Sequence, residues 1–352
     1  EILRCLVGSE MCIRDSYDTY GFPFELTKEI AEENGLGIDE NGFKKAMQEQ
    51  KDRAKAAAEK ISVTGDMKYA KVENEVGSTE FVGYLVDCAQ AKILAAIEGE
   101  GYTDIVLDRT PFYAECGGQV GDSGYIVNEN LKAEVLTTFK VNHLFVHRCQ
   151  VVNGEVKVGD YAFAQIDTAR RAQIRVHHTS AHLLQAALIK VLGDEVKQAG
   201  SQVEENRMRS DFTFSRAMTP QEVKKTEDIM NKWIGEKLPV NTDVMGIEEA
   251  KLTGATALFG EKYEDVVRVV SIGGKAKCNC GSDCSCDHES GEEKEVISKE
   301  FCAGTHASNT ADLRLVKIVS EGAIAAGTRR IEAVVADAAI DYLNAKSAEI
   351  DK

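Results

Sequence analysis

Hydrophobic positions change period along the 352-residue chain. Over 26–60, Phe43, Ala46, Met47, Ala54, Ala57 and Ala58 recur at helical spacing among Lys, Glu and Gln, which predicts surface helices. Gly35 and Gly37 end the first of these, and Asp39 opens the second. From about residue 79 the period shortens to that of strands. Runs at 79–86, 105–107, 124–127, 133–139, 143–149 and 161–166 alternate with turn signals such as Gly117-Gly118, Asn153-Gly154 and Gly159-Asp160. Short strands at this spacing predict a small β-barrel or sandwich. At Thr168 the pattern returns to helix, with Leu183, Leu184, Ala187, Leu188 and Val191 apolar and Gly193 as the stop. Pro220 opens another helix, capped by Thr219 and running through Trp233. Strands are expected again at 244–247, 266–272, 313–320 and 330–335. Residues 273–300 read as an acidic insertion, and 336–352 as the start of a further helix. The fold class is α+β: a helical segment, a small β-barrel, then an α+β domain.

Composition narrows the class. With 43% hydrophobic and 28% charged residues, the chain has the balance of a packed globular protein. Its 42 basic against 58 acidic residues give −16, which argues against coating nucleic acid by bulk charge and leaves a local basic site open. No apolar run approaches the ~20 residues of a membrane span, and no secretory h-region is evident, so a cytoplasmic chain is expected. Its ten cysteines are then thiols or metal ligands rather than disulfides.

Candidate chemistry clusters late in the chain. In His178-Thr179-Ser180-Ala181-His182, two imidazoles four residues apart share a helix face and can share a metal. In Cys302-Ala303-Gly304-Thr305-His306, a thiolate and an imidazole have a comparable spacing. Together His178, His182, Cys302 and His306 form a four-ligand set suited to Zn²⁺. Taken singly, each pair also fits surface histidines or a buried thiol. The loop Thr110–Asp122, with Gly117 and Gly118 beside Gln119, can bring backbone close to a ligand or simply turn between strands. Residues 169–216 carry eight Lys or Arg against five acids around the histidine helix. That segment is either a guide for a polyanion or a solvated face. Cys278, Cys280, Cys284, Cys286 and His288 offer a second group of soft ligands, or an acidic insertion that binds nothing.

These residues resemble alanyl-tRNA synthetase. Tyr17–Pro23 is similar to a motif near the end of that family's helical tRNA-recognition domain. Thr110–Asp122 is similar to its editing-barrel loop, and the two His/Cys motifs resemble its paired zinc motifs. Ala325–Ala333 resembles the segment that follows. The resemblance implies 17–62 as the end of the tRNA-recognition domain and 63–168 as the barrel of an editing domain. It also implies 169–335 as an α+β zinc editing core with a Cys-rich insertion at 274–300, and 336–352 as the start of a C-terminal helix. Residues 1–16 match nothing expected of the family. The family's class II aminoacylation domain would precede residue 17, and its oligomerisation domain would follow residue 340. Ser210 stands where the family tends to carry an aromatic residue, and His177 where Asn is common.

The function so implied is zinc-dependent hydrolysis of mischarged Ser-tRNA(Ala) and Gly-tRNA(Ala). The parent protein would attach alanine to tRNA(Ala) using ATP. Gln119 would position the attacking water or the amino acid, and Thr110 would contribute a hydroxyl. Arg170, Arg171, Arg175, Arg329 and Arg330 would meet the RNA. Two other readings fit the same residues: an acceptor-stem binding module with a purely structural zinc, and a free-standing editing factor.

Overall fold

The computed structural model describes residues 68–257, 263–277, 289–325 and 327–350. Expectations for 1–67, including the Tyr17–Pro23 motif and the helices over 26–60, lie outside the described residues. So do Cys278, Cys280, Cys284, Cys286 and His288. The chain divides into two units, 1–75 and 76–352. The described end of the first, 68–75, is helical. The second unit holds a closed barrel and an α+β core.

The barrel region also carries a short parallel pair, β1 (Glu80–Phe81) with β4 (Arg109–Thr110). Its six strands are β2 (Cys88–Glu98), β3 (Thr103–Leu107), β5 (Gly124–Asn128), β6 (Leu131–Val141), β7 (Leu144–Gly154) and β8 (Tyr161–Ile166). They close in the order β2-β3-β7-β6-β5-β8. Alternation dictates the inner face: on β8, Ala162, Ala164 and Ile166 are buried while Tyr161, Phe163 and Gln165 are exposed. Six strands enclose little space, and small inward residues make room for large ones. Ala91, Ala133, Ala162 and Ala164 share the interior with Ile93, Ile105, Leu107, Phe112 and Ile126. Asn142, at φ 51°, forms the tight turn between β6 and β7.

Two features depart from the pattern reading. The run at 79–86 is strand only at β1, and the chain turns at 83–85. Gly83 sits so close to Pro111 that a Cβ would lie 2.1 Å from its carbonyl oxygen, so only a residue without a side chain fits that turn. Strand β2 had no counterpart in the pattern, because Cys88–Glu98 is rich in Ala, Gln and Lys. Its pairing with β3 and β8 overrides that weak propensity.

The core is built on α1 (Thr168–Leu192). Asp167 caps it, its carboxylate accepting from the Arg170 N–H at 2.9 Å, a cap worth about 1 kcal/mol. Helix α2 (Pro220–Gly235) starts from a capping box between Thr219 and Glu222. One sheet has the order β14-β15-β10-β9, formed by β9 (Gln198–Val203), β10 (Met208–Thr213), β14 (Val316–Ala325) and β15 (Thr328–Val335). A second contains β11 (Val240–Gly246), β12 (Val266–Lys277) and β13 (Glu289–Phe301). Helix α1 packs on α2 and on strands of both sheets, so Leu183, Leu184 and Leu188 share one core with Phe212, Trp233 and Ile331. A short helix, α3 (Ile247–Leu252), follows β11, and α4 (Asp337–Ile350) closes the described chain.

The described parts of the segment read as an insertion, 273–277 and 289–300, are strand. Residues 289–301 form β13 and pair with β12 in a register that sets Val269 opposite Phe301 and Ile272 opposite Ser298. The pattern missed it because Glu and Lys dominate β13, leaving little apolar alternation before Phe301. Among the described residues, no helix is long and apolar enough to cross a membrane.

Candidate metal centre

The two four-residue spacings converge. On α1, His178 and His182 stand one turn apart, and the loop after β13 brings Cys302 and His306 against them. The four ligand atoms lie within 4.8 Å of one another. Cys302 Sγ is 3.5 Å from His178 Nε2 and 3.3 Å from His306 Nε2. A tetrahedral Zn²⁺, with bonds of about 2.0 Å to nitrogen and 2.3 Å to sulfur, sets such N···S edges at about 3.5 Å. The donor set and its spacing therefore fit a zinc-like ion.

Hydrogen bonds behind the ligands fix which nitrogen faces inward. The Thr305 backbone N–H donates to Gln119 Oε1 at 2.9 Å, which settles the orientation of that amide. Gln119 Oε1 lies 2.8 Å from His178 Nδ1, so Nδ1 must carry the proton and Nε2 presents a lone pair. Thr179 Oγ1 sits 3.2 Å from His306 Nδ1 and orients the second ring in the same sense. Glu300 Oε2 is 3.2 Å from His182 Nδ1, near enough for an ion pair but off the line of a hydrogen bond. Gly304 packs flat on His178, where a Cβ would lie 2.0 Å from Cε1.

The electrostatics favour a cation. Burial opposes ionisation of the Cys302 thiol, yet His178 and His306 outweigh it and hold the thiol well below its usual range. Burial, with His178 beside it, pushes His306 down to about 3. Burial also works against protonation of His182, but Glu300 and Cys302 prevail and raise it to about 10. A thiol lowered in this way among imidazoles is a donor that a metal ion can take up by displacing its proton.

A cavity of about 550 Å³ opens on the cluster. Tyr113, Gly117 and Lys140 line it from the barrel, and His178, His182 and Cys302 from the core. Another, of about 580 Å³, lies on the His306 side, beside Arg175 and Arg314. Tyr84 and Arg268 line both.

Other expected site residues are placed differently. Gln119 is fully buried behind His178, with its Nε2 donating to Thr305 Oγ1 at 2.9 Å. Its oxygen is shared between His178 Nδ1 and the Thr305 N–H, so the amide stands behind a candidate ligand. Thr110 is also fully buried, 2.7 Å from His147 Nε2, with its hydroxyl accepting from the Phe112 N–H, and it lines neither cavity. Of the paired glycines, Gly117 lines the cavity beside the barrel, whereas Gly118 packs on the Ser201 backbone. The Gly118 carbonyl accepts from the Val203 N–H, stitching the barrel loop to β9. His177 is held between Gln173 O and the Val335 N–H, and burial lowers its pKa. Ser210 is buried on β10, opposite Ile331.

The arginines proposed for RNA are mostly committed. Arg171 is 1% exposed and binds Asp122, Gly83 O and Pro111 O. Arg170 meets Gly121 O and Glu205, Arg329 pairs with Glu321, and Arg330 with Asp211. Along 169–216, Arg207 and Arg216 are also paired, with Glu204 and Glu222, so half of the eight basic residues counted there meet a carboxylate within 3.2 Å. Only Arg175 has a loose partner, Asp87 at 3.9 Å, and burial lowers its pKa.

Comparison with known proteins agrees with the architecture. Residues 10–170 match the family model for tRNA synthetases class II (A). Residues 267–332 match the second additional domain of threonyl and alanyl tRNA synthetases. The alanine–tRNA ligase of Acaryochloris marina is 41% identical over 345 residues, 96% of this chain. Those of a Synechococcus and a Synechocystis strain are 43% and 42% identical over 343 residues each. The chain belongs to the alanyl-tRNA synthetase family. It spans about 37% of the length of the Acaryochloris relative. The second-additional-domain match covers β12 through most of β15 and so includes Cys302 and His306, whereas the histidine helix lies outside both matches beyond residue 170. Sequence reasoning found all four candidate ligands but missed Thr179, Glu300, Thr305 and Gly304 as their supports. Three of these four stand inside the quoted motifs: Thr179 faces His306, Gly304 faces His178 and Thr305 faces Gln119.

Proposed function

We propose that this segment hydrolyses the ester of mischarged Ser-tRNA(Ala) and Gly-tRNA(Ala), within a protein that attaches alanine to tRNA(Ala) using ATP. The observation that carries the reading is a four-donor cluster on the wall of a cavity between barrel and core. A synthetic pocket for alanine discriminates poorly against glycine, which lacks one methyl, and against serine, which adds one hydroxyl. A second, hydrolytic site removes both errors. In this reading the editing domain takes in the barrel through residue 168 and the core through 335.

His178, His182, Cys302 and His306 would hold Zn²⁺, which when bound supplies Lewis-acid polarisation at the cavity wall. The chain's own residues do the rest. Gln119 and Thr179 hold the imidazoles in the ligand tautomer. Lys140 and Arg268, both lining the cavity, favour the anionic 3′ end of an RNA. The cavity walls limit bulk water around the ester. Water adds to the ester carbonyl, and the ribose hydroxyl leaves with a proton.

One observation favours a second reading. Four protein donors within 4.8 Å of one another are enough to fill a zinc shell, as in structural sites. A chain that holds zinc and binds tRNA(Ala) without cleaving the ester would establish it. The deciding assay gives the purified chain Ser-tRNA(Ala) and Ala-tRNA(Ala). Selective loss of serine that disappears in Cys302→Ala and His182→Ala supports editing. Equal cleavage of both substrates refutes editing, and full activity in both variants refutes the metal's part in it.

A further inference from the structure

The turn that carries Cys302 is held from outside by two residues that no motif singled out. Its three successive carbonyls, of Cys302, Ala303 and Gly304, all accept hydrogen bonds. Arg268 Nη1 donates to Cys302 O at 3.3 Å and to Gly304 O, and the Tyr84 hydroxyl donates to Ala303 O. The guanidinium lies over the Tyr84 ring, 4.2 Å from its centroid, so the two donors brace each other. Arg268 Nη2 is tied to Thr242 Oγ1 at 3.1 Å.

The two residues come from different parts of the unit. Arg268 belongs to β12 of the core, and Tyr84 to the turn before the barrel. That turn is anchored in its own right: buried Arg171 donates to Gly83 O at 3.0 Å, next to Tyr84. Among the described residues, Arg268 has no carboxylate within ion-pairing distance, so its charge faces backbone carbonyls and an aromatic ring. A planar fork that reaches two carbonyls while stacking on a ring is a geometry lysine cannot reproduce.

We propose that Tyr84 and Arg268 form a positioning strap that sets the Cys302 turn at metal-binding distance from α1, coupling metal affinity to the seating of the barrel on the core. The strap rests on the metal reading above, since it acts only through the ligand turn. It also divides the two cavities, because both residues line both. Tyr84, which is 41% exposed, thus stands on the wall of the space beside the barrel.

The test measures zinc affinity of the whole chain by chelator competition, with Co²⁺ absorption as a geometric readout. Supports of metal ligands typically change affinity by about 10–100-fold. Arg268→Lys is expected in that range. Tyr84→Phe removes one neutral hydrogen bond and is expected near fivefold, about 1 kcal/mol converted at 1.4 kcal/mol per decade. Both should alter the Co²⁺ bands, and the double variant should fall short of the product of the two effects. Tyr84→Phe is a mild change at a half-exposed site, so it remains informative if Arg268→Lys fails to fold. Wild-type affinity in both folded variants would overturn the strap alone. Weaker binding with an unchanged Co²⁺ spectrum and a matching fall in Tm would assign the pair to general folding and also overturn it. A wild-type chain that holds no metal would overturn the strap and the metal reading together.

Discussion

Gly304→Ala should empty the metal centre while leaving the barrel intact. The added Cβ would lie 2.0 Å from His178 Cε1, 2.3 Å from Nδ1 and 3.1 Å from Gln119 Oε1. Carbon atoms pack at about 3.5 Å, so ring and turn must separate by about 1.5 Å. Neither is free to move. The ring is fixed through Gln119 to the Thr305 N–H, and the turn through Gly304 O to Arg268. A displacement of that size against a Sγ···Nε2 separation of 3.5 Å takes one ligand out of bonding range. Overpacking alone costs about 1–3 kcal/mol, and the lost ligand adds to it. Zinc affinity should fall by more than about 100-fold, beyond the range of changes behind the ligands. Equilibrium dialysis with zinc quantification reads the loss, and circular dichroism checks that the chain is folded. One zinc per chain at wild-type affinity and unchanged Tm in Gly304→Ala would falsify the packing argument, because the turn would then be shown to yield.

Gln119 separates two roles. Gln119→Leu should weaken zinc binding about 10–100-fold, whereas Gln119→Glu, which keeps an acceptor for His178 Nδ1, should stay near wild type; unchanged affinity in Gln119→Leu would return the residue to a substrate role. Arg171→Met should destabilise by about 3–5 kcal/mol in urea unfolding, because it strands the buried Asp122 carboxylate; the pair Arg171→Met with Asp122→Leu should recover part of that loss, and equal costs would refute the pairing argument. His147 is buried neutral in the barrel with its pKa pushed down to about 4, chiefly by burial. The unfolded chain binds that proton near the ordinary 6.5 and the folded chain does not, so stability is full above that value and falls as pH drops toward 4. The shift corresponds to about 3 kcal/mol, and His147→Gln should flatten the profile of unfolding free energy between pH 6.5 and 4; an unaltered slope would sink this assignment.

The sequence made the ligands legible and concealed their supports, for one physical reason. Four-residue spacing on α1 is a local fact, so His178 and His182 are paired by helix geometry alone. Cys302 and His306 carry the same spacing in a loop, and a soft donor beside imidazoles already implies a metal. Barrel strands with clean alternation, such as β8, were legible as well. Strands β2, β9 and β13 were not, because their Ala, Gln, Glu and Lys take strand form only through partners elsewhere in the chain. The same limit hid what stands behind the ligands. Gln119 meets Thr305 across 186 residues, and Tyr84 meets Ala303 across 219. No periodicity reports such contacts. The arginine count failed in the reverse direction: a run that is basic along the chain is neutralised in the fold at Arg171 by Asp122, at Arg170 by Glu205 and at Arg216 by Glu222. Charge counted along a segment therefore says little about the field at a site, because the counter-ions are set by topology. The residues with most leverage on this centre are those where local spacing and long-range contact coincide. Gly304 and Thr305 lie inside a ligand motif and also touch His178 and Gln119, so substitutions there should cost as much as loss of a ligand although neither can bind the ion.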